Sequence, residues 1–450
     1  MKNQLLKITS FLVILFIGMH GYGQGYSLET YLDSLQHKNA HLLQSKNKIR
    51  EAAENIKMAK AAFLPSVGAT ASYRRDFDYS YIFLSDLESS LGDIESYLSD
   101  WGIDDLPDKF AISYKNNISA GVVAEQSIYN PAVGATIKLA KLSEEYSKLS
   151  HTELSEEIQK QGALLFWQAL YAKESLKVMK ENEELAKQQW TQFSDLYEQG
   201  VVSEFEKQQA KIYHKQTIPR VHSVQTLYEN LLNELKVLAN IAPDAPFEIS
   251  GNINLLDNEM TLFNTGDEAL QNNTSLAILS KQLELNKQQI KEKQTAYYPT
   301  LKAQLGYSFD TYNDEFKFNN VNKVPYGQLL LSIPIFSGGY NNANVKKAEI
   351  NFSNAQLNRH FKQLELQKEL INTQNDLSVA IDKINTESEL IELSEREIDI
   401  AKEKIKLGML TNLELKEIRL SLIRAKLNRL NACLDYRTAQ IKLKKITGKI

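Results

Sequence analysis

The chain has 450 residues, 43% apolar and 24% charged, a globular balance that excludes an intrinsically disordered protein. Its formal charge of −4 provides no net basic field for nucleic acid, and its single cysteine, Cys433, excludes an intrachain disulfide and a cysteine-based zinc cluster. Nine prolines and nineteen glycines are few for this length, which argues for long helices, and the size argues for two domains or an internal repeat.

Lys2 and Lys7 precede or open an apolar run ending at Met19, and Gly21 and Gly23 follow. A basic start, about a dozen apolar residues and a small-residue end read as a secretory signal peptide over residues 1–23. The competing reading is an N-terminal anchor, but the run is shorter than the ~20 residues a spanning helix needs. No cysteine follows it to carry a lipid. No later run of 18 apolar residues appears, so an exported chain of this kind is secreted, periplasmic or inserted as a β-barrel.

The chain repeats itself once. Ala62-Phe63-Leu64-Pro65 aligns with Ala296-Tyr297-Tyr298-Pro299 at an offset of 234, and Tyr73 falls on Tyr307. Further on, Gly200-Val201-Val202-Ser203 aligns with Gly408-Met409-Leu410-Thr411 at 208, and Leu235 falls on Leu443. A near-constant offset that changes once marks a duplication with a length difference between Tyr73 and Asn117. Repeat 1 is expected over residues 24–240, a linker with Pro243 and Pro246 over 241–264, and repeat 2 over 265–450.

Each repeat carries two alternating runs. They predict strands over 66–75 and 117–129 in the first repeat, and over 300–310 and 326–336 in the second. Leu301, Ala303, Leu305, Tyr307 and Phe309 share one face, while Lys302 and Gln304 share the other, with Glu125 on the returning strand of repeat 1. Such strands are long enough to cross a bilayer with their polar face on a lumen, which makes Lys302, Gln304 and Glu125 candidate lumen residues. A small soluble sheet packed on helices is the competing reading. Four strands cannot close a barrel in lipid, because open edges are not tolerated there, so several protomers must pool their hairpins.

The remainder reads as helix. Leu370, Leu377, Ile384, Ile391, Ile398 and Ile405 recur every seven residues, as do Ile158, Leu165, Ala172 and Met179, the pattern of supercoiled helices. Long helices are expected over 132–199 and 340–407, each ~100 Å at 1.5 Å per residue. Return helices are expected over 203–240 and 411–447, with shorter helices over 34–62 and 266–296 before the strands. In each repeat the two shorter helices sum to the length of the long one, so they would stack end to end and antiparallel to it. Pro219 is expected to kink or break the first return helix. Between Asp76 and Asp108 stand ten acidic residues and no Lys or Arg, and Leu84, Leu87, Leu91, Ile94, Leu98 and Trp101 keep helical spacing. This reads as an outer loop with a short amphipathic helix, serving as a packing cap or as a receptor or substrate site.

These features together resemble the TolC-type outer-membrane efflux family. The resemblance rests on the paired Pro-initiated hairpins, on Ile128-Tyr129-Asn130-Pro131 and Pro334-Ile335-Phe336-Ser337-Gly338-Gly339, and on Gly200-x-x-Ser203-x-x-Glu206, Gly408-x-x-Thr411-x-x-Glu414 and the terminal Leu-x-x-Ile-Thr-Gly. It implies a mainly α fold with transmembrane β: a long antiparallel coiled-coil helical barrel, with four strands per protomer in a homotrimeric 12-stranded barrel. It implies outer-membrane lipid around the strands, and tip contacts with a periplasmic adaptor and an inner-membrane pump through Gly200, Val201, Val202, Ser203, Gly408, Met409, Leu410 and Thr411. It also implies a periplasmic constriction at Glu414 and Glu417, where the family more often has Asp. An ordinary solvated helix face is the competing reading for both glutamates.

Signs of catalysis are missing. His37 and His41 are spaced i, i+4 without a third ligand, no HExxH, G-x-S-x-G or P-loop occurs, and Ser337-Gly338-Gly339 reads as a tight strand-to-helix turn. Cys433 between Leu430 and Leu434 reads as packing. The expectation is therefore a passive outer-membrane exit duct without cofactor, metal or nucleic acid. The alternative is an exported coiled-coil scaffold or adhesin without a pore.

Overall fold

The computed structural model describes residues 25–92, 94–102, 107–254, 267–406 and 412–450. The expected signal peptide and the second tip, Gly408 to Thr411, lie outside the described residues. In chain order, repeat 1 forms α1 (Leu28–Lys38), α2 (Ala40–Ala61), β1 (Ser66–Arg75), β2 (Tyr81–Phe83), α3 (Leu84–Leu91), α4 (Ile94–Ser99), β3 (Lys109–Ala111), β4 (Asn116–Tyr129), α5 (Pro131–Glu198) and α6 (Glu204–Leu238). Repeat 2 forms α7 (Thr274–Gln294), β5 (Thr300–Asn313), β6 (Asn322–Ser332), α8 (Tyr340–Lys406) and α9 (Asn412–Ile446). The chain divides into two compact units, residues 52–143 with 284–352, and residues 1–51, 144–283 and 353–450.

The first of these units holds the main sheet, four antiparallel strands in the order β1-β4-β5-β6. The hairpins of the two repeats thus meet along β4 and β5, in register from Asn116 opposite Asn313 to Ser127 opposite Lys302. Strand β6 runs over 322–332 rather than 326–336. Pro334 has no N–H for a ladder, so the chain leaves the sheet ahead of it. Two entries from strand to helix follow local chemistry. Asn130 accepts a hydrogen bond from the N–H of Ala132 at 3.1 Å, with Pro131 at the first helical position, where its missing donor costs nothing. Gly338 and Gly339 take φ of +60° and +83°, the left-handed turn that glycine tolerates.

The acidic segment differs from the single helix expected of it. It forms a small antiparallel hairpin, β2 with β3, and two short helices, α3 and α4. Lys109 lies 4.1 Å from the Tyr81 ring centroid across that hairpin, so a cation just beyond the acidic run secures its base.

The other unit is helical. One core cluster gathers Tyr31, Leu35, Phe166, Leu170, Leu235 and Phe247, a second Ala380, Ile384, Leu430, Cys433 and Tyr436, and a third Leu366, Leu370, Leu443 and Ile446. Heptad positions Ile158, Ala172, Leu370 and Ile384 are all buried, as is Cys433. Helix α6 runs through Pro219 without a break. Thr217 donates to the carbonyl of His214 at 2.6 Å, an acceptor in the turn that proline weakens.

The helix before β1 is two helices. Asn39 separates α1 from α2 in an extended conformation, with φ −61° and ψ 127°. Its Oδ1 accepts from the N–H groups of His41 and Leu42 at 2.9 and 3.1 Å, and its Nδ2 donates to the carbonyl of Leu238 at 2.8 Å. One side chain therefore caps the start of α2 and the end of α6. Asn273, offset by 234, does the same in repeat 2. Its Oδ1 accepts from Leu276 N–H at 3.1 Å and its Nδ2 donates to the carbonyl of Ile446 at 3.0 Å. Both asparagines are nearly inaccessible, at 3% and 5% exposure. The expected end-to-end stacking of short helices is thus held by a duplicated two-sided cap. His37 and His41 fall on different helices and do not share a face.

Candidate functional site

The sheet presents two chemically opposite faces. Paired residues share a face, so the register places Val67, Ala124, Leu305 and Gly327 in one row, and Ala69, Val122, Tyr307 and Pro325 in the next. Val67, Val122, Leu305, Tyr307, Phe309, Leu329 and Leu331 on this face are all exposed. An uncovered apolar face running across four strands is not a soluble surface, and it fits a hydrocarbon environment. At the turn end of the strands it is bordered by exposed Tyr73 and Phe316, whose rings meet edge to face, and at the helix end by exposed Tyr129, Tyr297, Tyr298 and Phe336. Aromatic residues at both ends of an apolar band are the pattern of a bilayer's two interfaces. Among the described residues, no helix is long and apolar enough to cross a membrane.

The opposite face is polar and bonded to itself. Lys302 Nζ lies 2.8 Å from Glu125 Oε1, and Gln304 Nε2 donates to Glu125 Oε2 at 2.9 Å. Gln328 extends the chain by donating to Gln304. Farther along, Ser119 and Ser308 both donate to Asp310, at 2.5 and 2.9 Å. The three residues assigned to a lumen from sequence therefore form one cluster. Gln328 and Asp310 extend the polar face, and their positions opposite Gln304 and Ser119 would have revealed them once pairing was known.

Both outer strands are exposed along their whole length. Alternating directions along the sheet make β1 and β6 antiparallel to each other, so the β6 edge of one copy matches the β1 edge of the next in direction.

At the first tip, Gly200 adopts φ +74°, and the N–H of Val201 donates to the Leu196 carbonyl at 2.9 Å, ending α5. Ser203 then caps α6. Its Oγ accepts from Glu206 N–H at 3.3 Å, while Glu206 Oε2 accepts from Ser203 N–H at 2.9 Å, a reciprocal capping box. Val201 and Phe205 are exposed beside this turn, and Val202 is half-buried. Phe205 was not singled out from sequence, nor was Leu413, its counterpart at the 208 offset, which is also exposed. An apolar residue at equivalent positions of both first turns was the available signal.

Glu414 and Glu417 both lie exposed on α9, in its first two turns. Glu414 corresponds to Glu206 of the capping box, so the same spacing that marks it for a constriction also marks it for a cap. Deeper in α9, Arg419 donates to Gln189 of α5 at 2.9 Å, and burial holds its guanidinium below the ordinary arginine value. On the neighbouring face, Tyr213 of α6 donates to Asn182 of α5 at 3.0 Å. These ties fix α6 and α9 to α5 a few turns from the tips.

Fold and site together describe one class of chain, long helices carrying a four-stranded antiparallel sheet with one apolar and one polar face. Residues 265–449 match the family described as outer membrane efflux protein. The chain is 20% identical to the outer membrane protein TolC of Escherichia coli strain K12, over 96% of this chain and 84% of that protein. Its fold matches the Campylobacter jejuni CmeC outer membrane channel with a TM-score of 0.77 at 17% identity, covering 94% of this chain and 85% of that one. It matches VceC, the outer membrane protein from Vibrio cholerae, with a TM-score of 0.72 at 14% identity, over 94% and 96%. The family match covers the second repeat, and the likeness to TolC and to the solved channels extends over nearly the whole chain.

Proposed function

We propose that this protein is the outer-membrane exit duct of a tripartite efflux or secretion system, with no catalysis of its own. The family match over residues 265–449 and the likeness to TolC support an outer-membrane efflux channel extending into the periplasm. The finer reading is carried by one observation: the four-stranded sheet has an apolar face, a polar face and two unpaired edges that match each other in direction. In lipid such edges must be paired, and head-to-tail addition of copies pairs every one of them. Three copies close a 12-stranded barrel with the Lys302–Glu125–Gln304 cluster lining its lumen. Exposed Ile350, Leu357, Leu364 and Ile371, recurring every seven residues on α8, supply an apolar stripe for helix packing between copies.

The exposed apolar tip residues then serve a periplasmic adaptor, which joins the duct to an inner-membrane pump that supplies the energy. Glu414 and Glu417 from three copies would crowd six carboxylates near the axis and favour cations. Outer-membrane fractionation with cross-linking of the intact chain tests this. Recovery in the outer membrane as a trimer supports the duct, and soluble monomer supports the scaffold reading instead.

A further inference from the structure

The unit that contains the sheet is electrically lopsided. Beyond its turn end stands the segment of ten acidic residues without Lys or Arg between Asp76 and Asp108. At its helix end the sign reverses. Residues 131–143 and 333–348 contain no Asp or Glu, and residues 52–65 and 285–299 contain one each, Glu54 and Glu292. Those four segments carry nine lysines, all exposed.

Their spacing gathers them on helix faces. Lys57 and Lys60 are i, i+3 on α2, Lys138 and Lys141 are i, i+3 on α5, and Lys287 and Lys291 are i, i+4 on α7. Lys346 and Lys347 are adjacent on α8. Only Lys57 and Lys293 are neutralised locally, by Glu54 at 2.8 Å and Glu292 at 2.9 Å. The other seven enter no ion pair among the described residues.

Depth decides what these charges meet. Lys60 precedes Ser66 by six residues, Lys138 follows Pro131 by seven and Lys346 follows Tyr340 by six. Lys138, whose helix starts two residues after β4, is therefore about 10 Å of helix from the strand end. Lys346 stands about 9 Å into α8 and Lys60 one residue from the end of α2, across short non-helical links from the strands. Links at this end of the sheet also carry exposed Tyr297, Tyr298 and Phe336. The headgroup layer is about 5–8 Å thick on each side of the hydrocarbon, and a lysine stem spans the difference while keeping its ammonium in the polar zone. Lys60 stands three residues before exposed Phe63, and Lys293 four before exposed Tyr297, so these cations flank side chains suited to the lipid boundary.

We propose that the lysines at the helix end of the sheet, Lys138, Lys141, Lys346 and Lys347 foremost, form a binding band for anionic phospholipid headgroups of the adjoining leaflet. The band fixes the depth and tilt of the barrel, with the acidic loop held on the opposite side. It rests on the membrane-channel reading above. A strip of exposed, unpaired cations at headgroup depth is the arrangement that attracts acidic lipid.

The test uses full-length trimers in nanodiscs of mixed phosphatidylcholine and phosphatidylglycerol, with spin-labelled versions of each lipid reporting boundary association. Wild-type protein is expected to prefer phosphatidylglycerol about fivefold at low ionic strength, a ratio worth about 1 kcal/mol, and to lose the preference as salt rises. The K138Q/K141Q/K346Q/K347Q variant is expected to show a ratio near one, and the corresponding fourfold Arg variant to keep it. Equal association of both lipids with reconstituted wild-type trimer overturns the proposal, as does a preference that survives in the Gln variant. A Gln variant with unchanged lipid preference but altered ion selectivity would overturn it by placing the lysines on the lumen. Wild-type protein that does not reconstitute overturns the channel reading and this proposal together, whereas reconstitution without preference overturns this proposal alone.

Discussion

Replacing Asn273 by alanine isolates the joint between α9 and α7. The wild-type side chain makes two bonds there, accepting from Leu276 N–H and donating to the Ile446 carbonyl. Loss of the cap costs about 1 kcal/mol, and an orphaned carbonyl in this buried joint adds about 1–2 kcal/mol, for about 2–3 kcal/mol locally. Where local opening governs hydrogen exchange, that is about a 30- to 150-fold acceleration at the amides of the first turn of α7. The assay is amide exchange by mass spectrometry on the detergent-solubilised protein, comparing N273A with N273S. Serine keeps a cap acceptor but cannot reproduce the bond to Ile446, so N273S is expected between wild type and N273A. The same series at Asn39, with readout at the start of α2, is expected to give the same order. Unchanged exchange in N273A, or N273S as fast as N273A, would refute the two-sided cap.

The glutamates near the second tip give a selectivity prediction. The E414Q/E417Q double variant is expected to lower cation preference and multivalent-cation block in planar bilayers at unchanged trimer yield, with E206Q affecting them less. At the first tip, V201D and F205D should abolish adaptor pull-down while leaving trimers in the outer membrane, since both side chains are exposed there. At the end of α9, Gly448 has φ +65°, and a Cβ would stand 2.2 Å from the Asn272 carbonyl oxygen, so G448A is expected to reduce folded yield measurably in membrane preparations. His151, 2.6 Å from Ser45 Oγ, has its pKa lowered by burial and then by the Lys46 charge. The unfolded chain therefore takes up this proton first as pH falls, so stability drops below pH ~6.5, and H151Q should flatten that part of a melting-temperature profile.

Periodicity made the long elements legible. Heptads at Ile158, Ala172, Leu370 and Ile384 point into cores, and strict alternation over 300–310 sorted the sheet's faces correctly. Pairing between repeats was not legible, because nothing local in β4 or β5 says which hairpin edge meets which; the partnership is set by how both hairpins enter one sheet. The break at Asn39 was missed because asparagine in a polar helical stretch has no pattern of its own, and its meaning appears only with the Leu238 carbonyl 199 residues away. Pro219 misled in the other direction, since packing of buried Tyr213, Thr217 and Val221 around it holds α6 together against a local penalty. Of the site, the polar trio was readable from alternation, whereas Phe205 and Leu413 required asking what the tips leave uncovered.

The matching edges of β1 and β6 also bear on the order in which the molecule is made. A single copy entering lipid would strand the backbone donors and acceptors of both edges, each at a cost of several kcal/mol, while its apolar face cannot remain long in water. If copies share one barrel as proposed, insertion and partner capture are one event, and its rate climbs steeply with the concentration of unassembled chains. A copy with only one spoiled edge would still be captured at the other, so in the proposed trimer a scarce damaged allele would poison about three times its share of assemblies.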